Sequence, residues 1–187
     1  MPVSRPSKRR ATLTSVLHGL LCAIALVAPA QARAFEVGGG VSLGGVLAGS
    51  KPRLAVTPNA GILWRMESGF LWAARETLSI LPATDVGGVG VHSQTSVLIG
   101  YATKDSDFSA GPSLAVYSMP ACNAFSLCAR VVGLSPGGHA QTNLYFAGPL
   151  GVMVSASVGW IGGQSFVLPG SVVATIVAGP VLRWTGR

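Results

Sequence analysis

His92, which precedes Ser93, and His139 are the residues of this chain that come nearest to a catalytic set. A histidine activates a serine for nucleophilic attack when a carboxylate holds its ring in the productive orientation. Neither histidine stands in a His-x-Ser pattern with an acidic partner, and the sequence contains no Gly-x-Ser-x-Gly motif. We therefore interpret both histidines as hydrogen-bonding groups and predict no catalytic residues.

Cofactor and metal sites have little support in the sequence. The glycines at 38–40, at 44–45 and at 87, 88 and 90 do not form a phosphate-binding fingerprint between a strand and a helix. Cys122 and Cys128 provide two thiols with no histidine nearby, which is fewer ligands than a zinc site uses. We predict no cofactor and no bound metal.

The first 34 residues have the three parts of a secretory signal peptide. A basic start is followed by an uncharged run over residues 11–30 and by the small-residue sites Ala30-Gln31-Ala32 and Ala32-Arg33-Ala34. We predict cleavage after Ala34, with Ala32 as the other possible site. Cleavage after Ala34 leaves residues 35–187 as one domain. The alternative is an anchor helix that stays attached, since about 20 apolar residues span a bilayer.

The net charge of +7 comes mostly from this leader, which holds five of the thirteen basic residues. Residues 35–187 contain the other eight basic residues and six acidic residues, so their net charge is +2. A nucleic-acid-binding function therefore loses its main support. Charged residues make up about 9% of this part, against roughly 25% in an ordinary soluble domain. Such a chain has too few charges to cover a water-facing surface.

After Ala34 the chain divides into eight stretches in which apolar and polar residues alternate, at residues 35–47, 53–65, 69–80, 89–102, 108–118, 139–147, 150–161 and 171–184. Each is near the ~9 to 11 residues with which a tilted strand crosses a bilayer. In the seventh stretch, for example, Leu150, Val152 and Val154 alternate with Met153 and Ser155. We expect the apolar set to face lipid and the polar set to face the interior, the inverse of a soluble barrel.

The connections between these stretches alternate between short and long. Residues 66–68, 103–107 and 148–149 are the short ones, and residues 48–52, 81–88, 119–138 and 162–170 are the long ones. Aromatic residues of the lipid-facing set lie beside the short turns, where an outer-membrane barrel has a girdle of aromatic side chains at the membrane interface. These residues are Phe35, Trp64, Phe70, Tyr101, Phe108, Phe146 and Trp184. The short turns are therefore expected on the periplasmic side and the long loops outside.

With these features, residues 35–187 resemble the small eight-stranded outer-membrane β-barrels of Gram-negative bacteria. The resemblance implies an all-β, antiparallel, up-and-down transmembrane barrel in the outer membrane, with lipid as its surroundings and a non-enzymatic structural or surface-interaction role. Some barrels of this size modify lipids with a histidine and a serine, so a lipid-modifying enzyme is one alternative. A soluble secreted or periplasmic barrel that binds an apolar ligand is the other, and it requires the apolar set to face inward.

Closure of such a barrel pairs the first strand with the last. Glu36 and Arg183 then both face the interior near the periplasmic rim, and we predict an ion pair across this seam. Two separately solvated charges are the alternative, because exposed ion pairs contribute little. Arg65 and Arg75 also have interior parity and need acceptors inside the barrel.

Glu76 breaks the pattern, since it shares the parity of Phe70 and Trp72 and so directs a carboxylate at lipid. A β-bulge before it, or a position at the outer interface, would remove the conflict.

Cys122 and Cys128 are the only cysteines after the leader. An exported protein enters an oxidising space, so we predict a disulfide between them. It would brace the loop 119–138, through which we expect any extracellular partner to bind.

Overall fold

The computed structural model describes residues 34–48, 51–82, 88–122, 128–161 and 171–186, and the regular structure in these ranges is β-strand. The strands are β1 (Ala34–Ala48), β2 (Lys51–Arg65), β3 (Phe70–Leu81), β4 (Gly90–Ala102), β5 (Ser106–Cys122), β6 (Cys128–Ala147), β7 (Leu150–Ile161) and β8 (Ser171–Gly186). Within the same ranges, no helix is long and apolar enough to cross a membrane. The predicted leader lies outside the described residues except for Ala34, the first residue of β1.

Each strand pairs antiparallel with the next, and β8 pairs with β1, so the sheet is closed. The register at closure runs from Phe35 opposite Gly186 to Ala48 opposite Val173. Closure removes the exposed strand edges that an open sheet of this size would have. The predicted eight-stranded, up-and-down antiparallel barrel is confirmed.

Strands β5 and β6 are longer than the sequence pattern predicted, because most of the expected loop 119–138 is strand. The two strands stay in register up to Cys122 opposite Cys128. The prediction of a loop is therefore wrong for residues 119–122 and 128–138, and residues 123–127 lie outside the described ranges. Pro136 and the glycines after it hide the alternation in the sequence, since these residue types are depleted in strands.

Alternate residues of each strand lie on opposite faces of the barrel wall, as the sequence pattern predicts. Leu54 and Ile176 are 67% and 66% exposed on the outer surface, whereas Ser42 and Thr57 of the other parity are fully or almost fully buried inside. An apolar outer surface around a partly polar interior is the arrangement of a barrel surrounded by lipid. The soluble alternative required the apolar set to face inward, and the structure places it outward.

The interior is filled by side chains. At the end opposite the short turns, which we call the outer end, six strands each contribute one buried apolar side chain to a single layer. This outer layer consists of Val46, Ala55, Leu81, Tyr117, Ile161 and Val173. A second apolar cluster lines part of the wall toward the short turns, and buried polar groups occupy much of the remaining interior. Eight strands enclose only enough space for side chains, which agrees with this filling.

Glycines permit the tight turns and several close approaches between strands, including one at the seam between β1 and β8. Gly69 and Gly148 have φ of +85° and +62° in turns at the same end of the barrel, a conformation that other residues adopt with strain. At the seam, a Cβ on Gly44 would overlap the carbonyl oxygen of Ile176 on β8, whereas the nearest atom to a Cβ on Gly45 is 4.0 Å away. The backbone approach at this point of the seam therefore requires that Gly44 has no side chain.

Gly44→Ala is expected to lower the free energy of unfolding by about 1–3 kcal/mol, because β1 and β8 must shift to admit the methyl group. Urea unfolding in detergent micelles, followed by tryptophan fluorescence, measures this change. Gly45→Ala is the matched control and is expected to change stability by less than about 0.5 kcal/mol. Equal losses in the two variants would contradict the close approach at Gly44.

Candidate functional site

Three charged side chains meet inside the barrel at the end with the short turns. The carboxylate of Glu36 is buried, and its Oε2 lies 3.5 Å from Arg65 Nη2 and 3.9 Å from Arg183 Nη1. Closure brings their strands β1, β2 and β8 side by side. Glu36 and Arg183 therefore stand within ion-pair distance across the seam. We call the three residues the rim cluster.

Arg65 is a partner of Glu36 that the sequence reasoning missed. In the β1–β2 register Arg65 lies opposite Ala34, two residues from Glu36 and on the same face of the sheet. Applying the hairpin register to the interior parity of both residues would have found it. The carboxylate is thus shared between two guanidinium groups.

Further contacts tie the rim cluster to the other side of the barrel. Arg65 Nη1 donates a hydrogen bond of 2.5 Å to the carbonyl oxygen of Thr103, in the turn between β4 and β5. The guanidinium of Arg183 lies 3.9 Å from the ring centroid of Tyr145 on β6, a cation–π geometry. The cluster therefore crosses the lumen and links strands that are not neighbours in the sheet.

A second polar group lies deeper in the barrel. Arg75 Nη2 donates to Asn59 Oδ1 at 2.5 Å, and Asn143 Nδ2 donates to Asp107 Oδ1 at 2.7 Å. The cavity between this group and the rim cluster has a volume of about 20 Å³, which admits about one water molecule. Ligand pockets are usually larger by an order of magnitude. This part of the interior is therefore packed rather than open to a ligand.

The histidines lie inside the barrel, where both are buried. His139 Nδ1 and Ser96 Oγ are 2.7 Å apart, and among the described residues neither side chain hydrogen-bonds to a carboxylate. His92 Nδ1 is buried without a hydrogen-bond partner in the described part of the chain. Such a serine–histidine pair lacks the orienting acid of a catalytic triad, and in the barrel interior it is remote from any lipid substrate.

Metal ligands do not converge in the described ranges, where no group of three or more His, Cys, Asp or Glu side chains is close enough to hold an ion.

Aromatic side chains surround the outer surface at the end with the short turns. Of the predicted girdle, six are between 37% and 68% exposed: Phe35, Phe70, Tyr101, Phe108, Phe146 and Trp184. Trp64 is only 9% exposed, because Phe35 and Trp72, its cross-strand neighbours, flank it. The rings of Phe35 and Trp64 meet edge to face with centroids 6.0 Å apart. Trp64 therefore packs among its neighbours instead of presenting its ring to lipid.

At the outer end, β5 and β6 continue as a two-stranded hairpin beyond the wall. Pairing of β5 with β4 ends at Ser118 opposite Val91, and pairing of β6 with β7 ends at Gly137 opposite Gly159. Among the described residues, residues 119–122 therefore pair only with residues 128–131. Residues 132–136 pair with residues 114–118 of β5 and have no described partner on the side of β7. We call residues 119–122 and 128–136 the outer hairpin.

Glu36→Gln is expected to lower the free energy of unfolding by about 1–3 kcal/mol, because it leaves two largely buried guanidinium groups without their counter-charge. Urea titration in micelles measures the loss. The double variant Glu36→Gln, Arg183→Gln removes one of the stranded charges, so its loss should be smaller than the sum of the two single losses. Strict additivity would show that the two side chains do not interact.

The known proteins that match this chain match it in fold. Neither a protein-family model nor a curated protein matches the chain. Among solved structures, Neisserial surface protein A (NspA) matches with 10% identity and a TM-score of 0.54, over 80% of this chain and 97% of that one. Ail, the attachment invasion locus protein of Yersinia pestis, in complex with the heparin analogue sucrose octasulfate, matches with 11% identity and a TM-score of 0.51, over 81% and 99%.

Both relatives are small eight-stranded outer-membrane β-barrels. At these identities the similarity concerns the fold, and it agrees with the apolar outer surface and the aromatic girdle described above. The chain therefore has the fold of the small eight-stranded outer-membrane β-barrels.

Proposed function

We propose that the mature protein is a non-enzymatic barrel of the Gram-negative outer membrane that acts by binding partners outside the cell through its outer hairpin. The observation that carries this proposal is the outer hairpin itself, which extends past the barrel wall and whose two outer edges have no strand partner among the described residues. Unpaired N–H and C=O groups on a strand edge are available to a binding partner.

The side chains of the outer hairpin also favour binding. Val132 and Leu134 are about 40% exposed. Arg130 is exposed, and it donates hydrogen bonds to Ser118 Oγ and to the carbonyl oxygen of Val89, each at 3.0 Å or less. These contacts hold the guanidinium at the base of the outer hairpin. A partner would therefore meet a fixed positive charge beside exposed apolar side chains.

Transport and catalysis have less support than binding. The outer layer fills the lumen with six apolar side chains, which opposes passage of ions or polar solutes. For lipid modification, the pair Ser96 and His139 is buried inside the barrel and lacks an acidic partner among the described residues. The lipid-modifying alternative therefore lacks a complete site at a membrane surface.

A sulfated polysaccharide is the partner class that we favour. The sequence around the outer end carries Lys51, Arg53 and Arg130 against one acidic residue, Asp85. Basic side chains near an exposed surface attract polyanions, and this attraction weakens with salt. The structure of Ail with a heparin analogue shows that ligand on a barrel of the same fold.

We also propose the disulfide between Cys122 and Cys128. The two residues are directly opposite each other at the end of the β5–β6 register. Directly opposite residues of antiparallel strands have Cα atoms about 4.5–5.5 Å apart. This range falls within the Cα separations of disulfides. The bond would hold the tip of the outer hairpin closed.

Mass spectrometry after alkylation tests the disulfide. Protein isolated without reductant is expected to gain no label at Cys122 or Cys128, and reduced protein is expected to gain two. Cys122→Ser with Cys128→Ser should increase proteolysis within the outer hairpin and leave the barrel intact, because the bond closes only a short loop. Free thiols in the protein as isolated would contradict the proposal.

Retention on immobilised heparin at low salt tests the binding function. Arg130→Gln is expected to elute at lower salt than the unaltered protein, because one cation near the ligand is lost. Replacing residues 120–130 with Asn-Gly, a favoured two-residue hairpin turn, is expected to remove most of the retention. Heat-modifiable gel mobility verifies that the barrel is intact.

Lys104→Gln is the matched control, since it removes one exposed positive charge from a turn at the opposite end of the barrel. It should leave the elution unchanged. Equal effects of Lys104→Gln and Arg130→Gln, or no retention of the unaltered protein, would contradict a polyanion site at the outer end.

A further inference from the structure

Three buried side chains have polar atoms without a partner beside the same cavity. Arg75 Nε, Gln141 Oε1 and Asn143 Oδ1 make no hydrogen bond within the described part of the chain. All three residues line the cavity between the rim cluster and the deeper polar group, and each is at most 7% exposed. Buried polar atoms are almost always hydrogen-bonded, because an unpaired one loses its contacts with water and gains none in return. The cavity is therefore expected to hold a ligand that these atoms bind.

The other hydrogen bonds of these side chains determine what the ligand must offer. Arg75 donates through Nη2 to Asn59 Oδ1, and its free Nε carries a further N–H that can only donate. Asn143 donates through Nδ2 to Asp107 Oδ1, so the free end of its amide is the oxygen, which can only accept. The ligand must therefore accept a hydrogen bond from Arg75 and donate one to Asn143.

The charges around the cavity oppose an ion. A cation would lie beside the guanidinium groups of Arg75 and Arg183, and it could not accept the hydrogen bond from Arg75. An anion would lie beside the carboxylate of Glu36 and the free oxygen of Asn143, and it could donate no hydrogen bond to them. A neutral molecule that both donates and accepts meets both requirements.

The size of the cavity selects the smallest such molecule. Its volume of about 20 Å³ admits about one water molecule. Gly38, which shares the interior parity of Glu36, and Gly61 both line the cavity and have no side chain to fill it. A Cβ on Gly38 would have one described atom within 4 Å, the carbonyl oxygen of Leu182 at 3.4 Å, which is an ordinary contact. The space beside Gly38 is therefore large enough for a methyl group.

We propose that this cavity is a binding site for one water molecule, which accepts a hydrogen bond from Arg75 Nε and donates to Gln141 Oε1 and Asn143 Oδ1. Three hydrogen bonds are typical of a buried water, and such a water is costly to remove. Arg75 is on β3, whereas Gln141 and Asn143 are on β6. These strands are not neighbours in the closed sheet. The water therefore joins two separate parts of the wall across the lumen.

A crystal structure of the protein, grown from detergent with sodium bromide in place of sodium chloride, tests the site. The expected result is an ordered water oxygen at hydrogen-bond distance, about 2.7–3.2 Å, from Arg75 Nε, Gln141 Oε1 and Asn143 Oδ1. An anomalous bromide signal in the cavity would overturn the proposal. So would an ion at the shorter metal–oxygen distances, about 2.0–2.6 Å, or a cavity without ordered density.

Gly38→Ala tests whether the water stabilises the barrel. Its methyl group takes the space of the water and leaves the three polar atoms unpaired, so the urea midpoint of unfolding in micelles should fall. Gly45→Ala is the matched control, because it adds the same group to the exposed outer face of the same strand. Both variants should keep the heat-modifiable mobility of the barrel. A midpoint for Gly38→Ala as high as that of Gly45→Ala would contradict the proposal.

Discussion

The whole structure depends on the pairing of backbone groups across the closed sheet. In hydrocarbon, an unpaired N–H or C=O finds no water, so a spanning sheet must satisfy each of these groups from within. The pairing of β8 with β1 meets that condition on the last open edge. The close approach at Gly44 and the ion pairs of Glu36 are located at or next to this pairing, and both serve to hold it.

Closure also determines what the interior contains. Eight strands leave a narrow lumen, and every second residue must fit into it. Large apolar side chains fill the outer end, while glycines and short polar side chains occupy much of the middle. The arginines are placed where a carboxylate, a backbone carbonyl or an amide oxygen can accept from them. The interior is thus a packed polar and apolar core in a small space.

The parts of the structure that depend on local alternation could be predicted from the sequence. The number of strands, their order and the face on which each side chain lies follow from the alternation of apolar and polar residues along the chain. The outward position of Glu76 was predicted in this way. The outer hairpin was missed because Pro136 and the glycines after it hide the alternation in the sequence, while the pairing of β5 with β6 continues. The contact of Arg65 with Glu36, the pair Ser96 and His139 and the burial of Trp64 were missed because each depends on register or packing between strands.

The seam has a further consequence for how the barrel forms. Its paired residues, such as Val37 and Trp184, are almost the whole domain apart in the sequence, whereas the other strand pairs join strands that follow each other in the chain. Contacts between distant parts of a chain have a large loop-closure entropy and form slowly. Until β8 meets β1, both terminal strands carry open edges on an incomplete sheet. The assembly intermediate is therefore a curved hairpin array that needs protection from other chains until its ends join.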